Sequence, residues 1–390
     1  MKHNINRLYL IKISKWLMIL MPVIVVFFME NGLSLQQIFV LKAINSVSII
    51  LLEIPTGYFA DVWGRKNTLI FGGILGFLGF LAYALAFNFL GFIIAEICLG
   101  IGVSFISGSD SALLYDTLKD HNKENEFVKY DGRMVSAGNF AEAIGGILGG
   151  FLASISIKLP VIIQVVVAFI AIPAAITLKE TENRKNLKNI GFQQIWQIVK
   201  ASLFHNKILR NYILLSSVLG CSTLAMAWFV QPFFDAINVP LQAYGILWTI
   251  LNLSVGIVSF YAYKIEKKIG FITTIFLIST GLNVMYILTG LTAGYLGIFF
   301  ILIFYIFRGV ATPVLRDYIN RYSDSDSRAT ILSLRSFLIR GFFAILAPLF
   351  GWFSDKYSIQ QALMLAGGIF FIFSLTISFL IVFTNRKYSV

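Results

Sequence analysis

The chain has 390 residues, 58% of them hydrophobic and 13% charged, with 31 lysines and arginines against 19 acidic residues and a net charge of +12. So apolar a composition excludes an ordinary water-soluble globule, which would have too few polar residues to cover its surface, and makes the bilayer the natural solvent. Cys98 and Cys221 lie in apolar sequence and read as packing residues, which argues against a disulfide framework or a zinc site; His3, His121 and His205, all near loops, argue against a membrane-embedded enzyme.

A helix needs about 20 apolar residues to span about 30 Å of hydrocarbon. Segments of that length recur almost end to end, and runs such as Ile298 to Phe307 lack the two-residue alternation of barrel strands. In chain order, helices are predicted over 8–29, 35–60, 67–88, 90–116, 131–154, 159–178, 208–236, 240–263, 271–290, 293–318, 329–354 and 359–384. The first carries Lys12 and Lys15, runs past the length of a signal-peptide core and has no small-residue cleavage site before Glu30, so it reads as a retained helix. Most turns are a few residues long, but the stretch from Lys179 to His205 is longer, polar and basic. It divides the chain into an N-terminal six-helix bundle (1–180), a linker (181–207) and a C-terminal six-helix bundle (208–390), the pattern of a transporter built from two halves related by an axis along the membrane normal. Within the linker, Phe192, Ile195, Trp196, Ile198 and Val199 are interspersed with Gln193, Gln194 and Lys200, which fits both an amphipathic helix on the membrane surface and an ordinary solvated helix. The ends of the second and eighth helices echo one another, Gly57 to Asp61 in one and the charged run Lys264 to Gly270 in the other.

The placement of the basic residues separates membrane topology from nucleic-acid binding. They gather in alternate connections: in the amino-terminal region up to and including Lys15, at Arg65 and Lys66, from Lys119 to Arg133, from Lys179 to Arg210, from Lys264 to Lys268, from Arg316 to Arg328 and in the tail. The connections between hold Lys158 and Lys356. By the positive-inside rule, both termini and the linker are expected in the cytoplasm, with the chain multi-pass in a bacterial inner membrane.

Gly57-Tyr-Phe-Ala-Asp61-Val-Trp-Gly64-Arg65-Lys66 ends the second helix and opens the third. Gly57 permits close helix approach, Gly64 turns the chain, and Asp61 is placed to bond a neighbouring helix end or Arg65. This run resembles the hallmark loop of the major facilitator superfamily, in which the cluster steadies one of two alternating conformations; a purely topogenic role for Arg65 and Lys66 is the alternative. The fifth helix carries Glu142 and the pairs Gly145, Gly146 and Gly149, Gly150, similar to a signature of the family's antiporters but with Gly146 in place of a proline. Close helix packing explains the same glycines. The fourth helix reads Glu96-Ile-Cys98-Leu-Gly100-Ile-Gly102, which resembles the family's motif on this helix with Glu96 where an arginine stands. The phrases Leu113-Leu-Tyr115-Asp116, Trp228-Phe-Val-Gln231-Pro232 and Arg328-Ala-Thr330-Ile-Leu-Ser333 also look like elements of bacterial members. The resemblance, which is to drug/proton antiporter-like members, implies an all-α integral membrane protein with twelve transmembrane helices in two six-helix bundles.

Ionisable residues inside a span cost about 3 kcal/mol each or more and usually face a cavity or a partner. The acids are Glu53, Glu96, Asp110, Glu142 and Asp235, and the bases Lys42, Arg308, Arg335 and Arg340. At 100° per residue Lys42, Ser46 and Glu53 share a stripe on the second helix, as Glu96, Ser107 and Asp110 do on the fourth. Such stripes fit a hydrophilic pathway and equally a set of structural ion pairs. Glu96, Asp110, Glu142 and Glu53 are the proton-coupling candidates. Arg308, Arg340, Arg335, Trp228, Gln231, Tyr305 and Lys42 are the substrate-binding candidates, the guanidinium groups suiting a carboxylate or phosphate and the aromatics stacking.

The expected activity is secondary active transport of a small organic molecule by alternating access, foremost the proton-coupled export of amphipathic compounds. The alternatives are transport of an anionic metabolite such as a carboxylate-type siderophore, and a transporter-like sensor without net transport. No Gly-x-x-x-x-Gly-Lys loop is present, so ATP is not expected to drive it. The expected partners are the substrate, protons and membrane lipids, for a monomer with no cofactor, no metal and no nucleic acid.

Overall fold

The computed structural model describes residues 1–181, 192–324 and 327–388; inside its helices the side chains at 54, 55, 57, 58, 61, 128, 192–195, 329 and 385–388 are not described. The described residues are helical, with no strand among them. In the N-terminal half these are α1 (Lys2–Trp16), α2 (Ile24–Glu30), α3 (Leu35–Trp63), α4 (Arg65–Leu85), α5 (Phe89–Ile106), α6 (Ser109–Lys119), α7 (Phe127–Ile155) and α8 (Lys158–Ile176). After the short α9 (Phe192–Lys200) come α10 (Lys207–Ala236), α11 (Leu241–Ile269), α12 (Phe271–Leu291), α13 (Leu296–Arg321), α14 (Arg328–Lys356) and α15 (Ile359–Tyr388). Twelve spans among the described residues are long and apolar enough to cross a membrane. Large apolar side chains such as Phe140, Ile345 and Phe383 are more than 70% exposed, as lipid-facing residues would be.

Two spans are not the continuous helices predicted. The first breaks after Trp16: Leu17 leaves helical geometry, Met21–Val23 forms a 3-10 turn containing Pro22, and the helix resumes at Ile24. Proline brings no N–H to the ladder, and the amide of Leu20 donates instead to the buried side-chain oxygen of Gln164, at 3.3 Å. The fourth breaks at Ser107 and Gly108, where Gly108 has φ of +82°, and α6 starts afresh with Asp110 in its first turn. Glu96 and Asp110 therefore stand on two separate helices, and the uninterrupted stripe expected to join them does not exist.

The echo between halves is clearer in the backbone than in the letters. α3 and α11 each have 29 residues, α4 and α12 each 21. The connecting Gly64 and Gly270 have φ of +97° and +84°. A threonine four residues on, Thr68 or Thr274, closes each turn by donating its hydroxyl to the glycine carbonyl, at 2.7 and 2.8 Å. Both glycines adopt a conformation open to little else.

The chain forms two compact units. The first holds Met1–Leu33, the described chain from Leu41 to Thr181, and Pro240–Thr249; the second holds Ser34–Val40 and the rest. In the first, α4 packs against α5 and α8, and α1 against α7 and α8. In the second, α10 and α12 pack against α13 and α15. In the linker, Ile190 lies outside the described residues; α9 is followed by one π-helical turn at Ala201–His205, and Trp196 and Phe204 are exposed.

Candidate functional site

Lys42 on α3 and Glu96 on α5 meet as an ion pair, 5% and 2% exposed. The two helices approach closely because Gly100 has no side chain: a Cβ there would lie 2.7 Å from that of Ser48. Asn45, one turn from Lys42, donates its amide to the carbonyl of Glu96 at 3.1 Å. Around the pair stand Phe28, Tyr83 and Phe92, with ring centroids 5.1 to 6.0 Å apart. The Lys42 ammonium is 4.9 Å from the Phe28 centroid and 5.9 Å from that of Tyr83, within cation–π range. An aromatic enclosure of this kind removes water from two opposite charges, and desolvation at such a place matches or exceeds their attraction.

Asp110 has a different partner, Lys12 of α1, at 3.2 Å. Lys12 also lies 5.8 Å from the Trp16 ring, just before the break in the first span. Asp110 accepts from the amide of Ser111 at 2.8 Å, in the first turn of α6, where a carboxylate is favoured by the helix dipole. The sequence counted Lys12 as a topological charge; its position within an apolar segment was the available sign of a partner.

At the loop between α3 and α4, Arg65 pairs with Asp116 of α6 and donates to the carbonyl of Ala112. Glu180, beyond the end of α8, receives the amides of Arg65 and Lys66 at 3.2 and 3.0 Å, capping α4. Gly57 lies in α3, and nothing of its surroundings or of the Asp61 side chain is described. The glycines of α7 form two faces. Gly145 and Gly149 lie against the broken part of the first span, where a Cβ on Gly145 would be 2.9 Å from the Met18 amide. Gly146 and Gly150 face α11, where a Cβ on Gly150 would be 2.7 Å from the Gly245 amide.

The remaining candidates are spread out. Arg335 on α14 is partly buried and donates from Nε to the hydroxyl of Ser216 on α10 at 2.5 Å. Arg308 lies 5.3 Å from the ring of Tyr305, one turn earlier on α13. Among the described residues, neither arginine has a carboxylate partner within 4 Å. Gln231 and Tyr305 are at most 1% exposed, enclosed by packing, whereas Trp228, Glu53, Glu142 and Arg340 are half-buried. Asp235, read as an intramembrane acid, is exposed in the last turn of α10. No group of three or more metal-ligating side chains is assembled among the described residues.

A chain whose described residues hold twelve spans long and apolar enough to cross a membrane, with charged pairs buried inside the helices, has the features of a polytopic membrane transporter. The pattern of the Major Facilitator Superfamily matches residues 16–342, and the chain belongs to that family of transporters, which are not enzymes. The quinolone resistance protein NorA of Staphylococcus aureus (strain Mu50 / ATCC 700699) is 24% identical over 177 residues, which are 45% of this chain and 44% of NorA. The chain thus matches under half the length of that relative. The uncharacterized MFS-type transporter YxaM of Bacillus subtilis (strain 168) is 20% identical over 328 residues, 81% of this chain and 80% of YxaM. The solved structure of the nucleoside transporter NupG superposes with a TM-score of 0.79 at 14% identity, covering 97% of this chain and 98% of that one, and shares its fold.

Proposed function

We propose that this chain exports amphipathic small molecules, cations foremost, by proton-coupled alternating access, with Glu96 as the exchanging group. The Lys42–Glu96 pair carries this reading. A carboxylate held by one ammonium in an aromatic enclosure accommodates a proton, an ammonium or an organic cation, but no two of them together. Such exclusion is the elementary requirement of exchange, because binding one partner releases the other. The aromatic rings supply the surface that recognises cationic and planar compounds. The similarity to a quinolone resistance protein points the same way. The repeated glycine turns support reading 1–180 and 208–390 as equivalent halves joined by 181–207. The distribution of basic residues supports cytoplasmic termini in a bacterial inner membrane.

A second reading, transport of an organic polyanion, is favoured by Arg308 and Arg335, whose guanidinium groups have no carboxylate partner among the described residues. A thermal-shift screen of the detergent-purified protein separates the two, since a ligand at 100 times its Kd stabilises the folded state by about 2.7 kcal/mol. Ethidium and tetraphenylphosphonium are expected to stabilise it and citrate is not. Stabilisation by citrate alone, lost on Arg335→Ala, would replace the first reading by the second. Binding without accumulation in vesicles would make the protein a sensor.

A further inference from the structure

Three helices of the second unit, α10, α14 and α15, close on one another at two levels and leave a gap between. At one level Gly220 lets Ile339 of α14 lie against α10, since a Cβ there would be 2.5 Å from the Ile339 Cδ1. At the other the Phe350 ring of α14 is 5.7 Å from that of Phe229 on α10 and 5.8 Å from that of Phe370 on α15. Between these closures lies a crevice of about 180 Å³. Val218, Cys221 and Phe370 form its floor, each at most 8% exposed. Phe342 and Leu346, half-buried, form its walls, and Ile345 and Phe373, 75% and 57% exposed, form its rim.

The lining exposes no polar surface, so the crevice offers water no partner. A cavity of about 150 Å³ walled by Leu, Ile and Phe stays dry and takes a benzene-sized apolar group. Left empty, the floor would forfeit its dispersion contacts on one side. The depth of the crevice narrows the choice of occupant. Cys221 is the fifteenth of the 30 residues of α10, Phe342 the fifteenth of the 29 of α14 and Phe373 the fifteenth of the 30 of α15. All three helices thus reach the crevice half way along, about 15 Å from either face of the hydrocarbon core, where acyl chains end. The rim is also continuous with the lipid-facing surface. Phe373 begins a stripe of exposed residues at helical spacing, Thr376, Leu380 and Phe383.

We propose that this crevice is a binding site for a lipid acyl chain, whose methyl end lies on Val218, Cys221 and Phe370. The occupant comes from the bilayer, because the rim opens onto the lipid-facing surface and the lining has nothing to hold a headgroup, a carboxylate or a cation. The bound chain completes the packing of α10, α14 and α15 at the one level where their own side chains do not meet. The inference rests on the chain's crossing a membrane and not on the compound it exports.

Photocrosslinking of the full chain in phosphatidylcholine nanodiscs tests the site without a substrate or a gradient. With a diazirine on the terminal carbon of one acyl chain, irradiation is expected to leave adducts on Val218, Cys221 and Leu346, located by mass spectrometry of the peptides. A diazirine beside the ester carbonyl should leave none there. Adducts on Phe140, exposed near the middle of α7, report ordinary lipid contact at a similar depth and calibrate each preparation. Val218→Phe, which fills the floor, is expected to lower the ratio of Cys221 to Phe140 adducts by about tenfold, the worth of about two buried methylene groups. Leu346→Phe fills the crevice from its wall, should do the same, and carries the test where Val218→Phe does not fold. Adducts on Ile345 and Phe373 with none on the floor would make the crevice plain lipid boundary and overturn the proposal, as would floor adducts that neither variant reduces. Loss of the wild-type floor adducts on adding ethidium would assign the crevice to the exported compound and overturn it too. Failure of the lipid site leaves the transport reading standing, since gradient-driven accumulation of ethidium is a separate measurement.

Discussion

Removing one charge from the buried pair has a consequence that can be estimated from its surroundings. Lys42→Met keeps most of the stem and deletes the ammonium, leaving Glu96, 2% exposed, among the rings of Phe28, Tyr83 and Phe92. Removing one partner of a buried ion pair costs about 3–5 kcal/mol, whereas replacing both by neutral groups is often nearly neutral. At 1.4 kcal/mol per factor of ten, the single change lowers the folding equilibrium by about two to three and a half orders of magnitude. Glu96→Gln strands Lys42 in the same way and should cost a similar amount. The double variant should recover most of the loss, giving a coupling energy of about 3 kcal/mol or more. Reversible unfolding in mixed micelles, following tryptophan fluorescence as the denaturing detergent is raised, measures all four proteins on one scale. Distant sites add to within about 0.5 kcal/mol. If the two single losses summed to the double within that margin, the pair would not be the coupled unit described.

Gly150→Ala should destabilise by about 1–3 kcal/mol, because its Cβ would press on the Gly245 backbone, which cannot rotate away. Gly256→Ala, with open space around its Cβ, is the control and should be neutral or slightly stabilising in the same assay. Gly64→Ala and Gly270→Ala should each cost about 1–3 kcal/mol from backbone strain alone, since φ of +97° and +84° combined with extended ψ is a region reserved for glycine. Arg335→Ala should leave ethidium affinity unchanged in an equilibrium titration and abolish any stabilisation by citrate.

Much of the fold could be read from composition and periodicity, because a bilayer demands long apolar helices and leaves few alternatives. The spans from α10 to α15 fall close to their predicted ranges for this reason. The two broken helices were not legible. Hydropathy averages over about 20 residues, and neither Pro22 nor Gly108 interrupts the apolar character of its span. Each break has a tertiary partner beside it, Gln164 at Leu20 and Lys12 at Asp110, that no local pattern announces. The sequence named both Lys42 and Glu96 but could not pair them, since the distance between α3 and α5 depends on Gly100 lying over Ser48. Asp355, which accepts the amides of Leu35 and Gln36 at the start of α3, escaped notice because it sits at a helix end beside Lys356, where an acid looks solvated. Those amides lie 320 and 319 positions away in sequence, and no local pattern encodes that separation.

The account rests on Glu96 as the group that exchanges a proton for an organic cation, and flux in purified proteoliposomes tests it most directly. Wild type and Glu96→Gln are reconstituted at equal density, the lumen is made acidic relative to the outside, and ethidium entry is followed by its fluorescence on encapsulated DNA. The account predicts gradient-driven accumulation by wild type and none by Glu96→Gln, with both proteins folded by size exclusion. Accumulation by Glu96→Gln at the wild-type rate, or wild-type accumulation indifferent to the gradient, would contradict it.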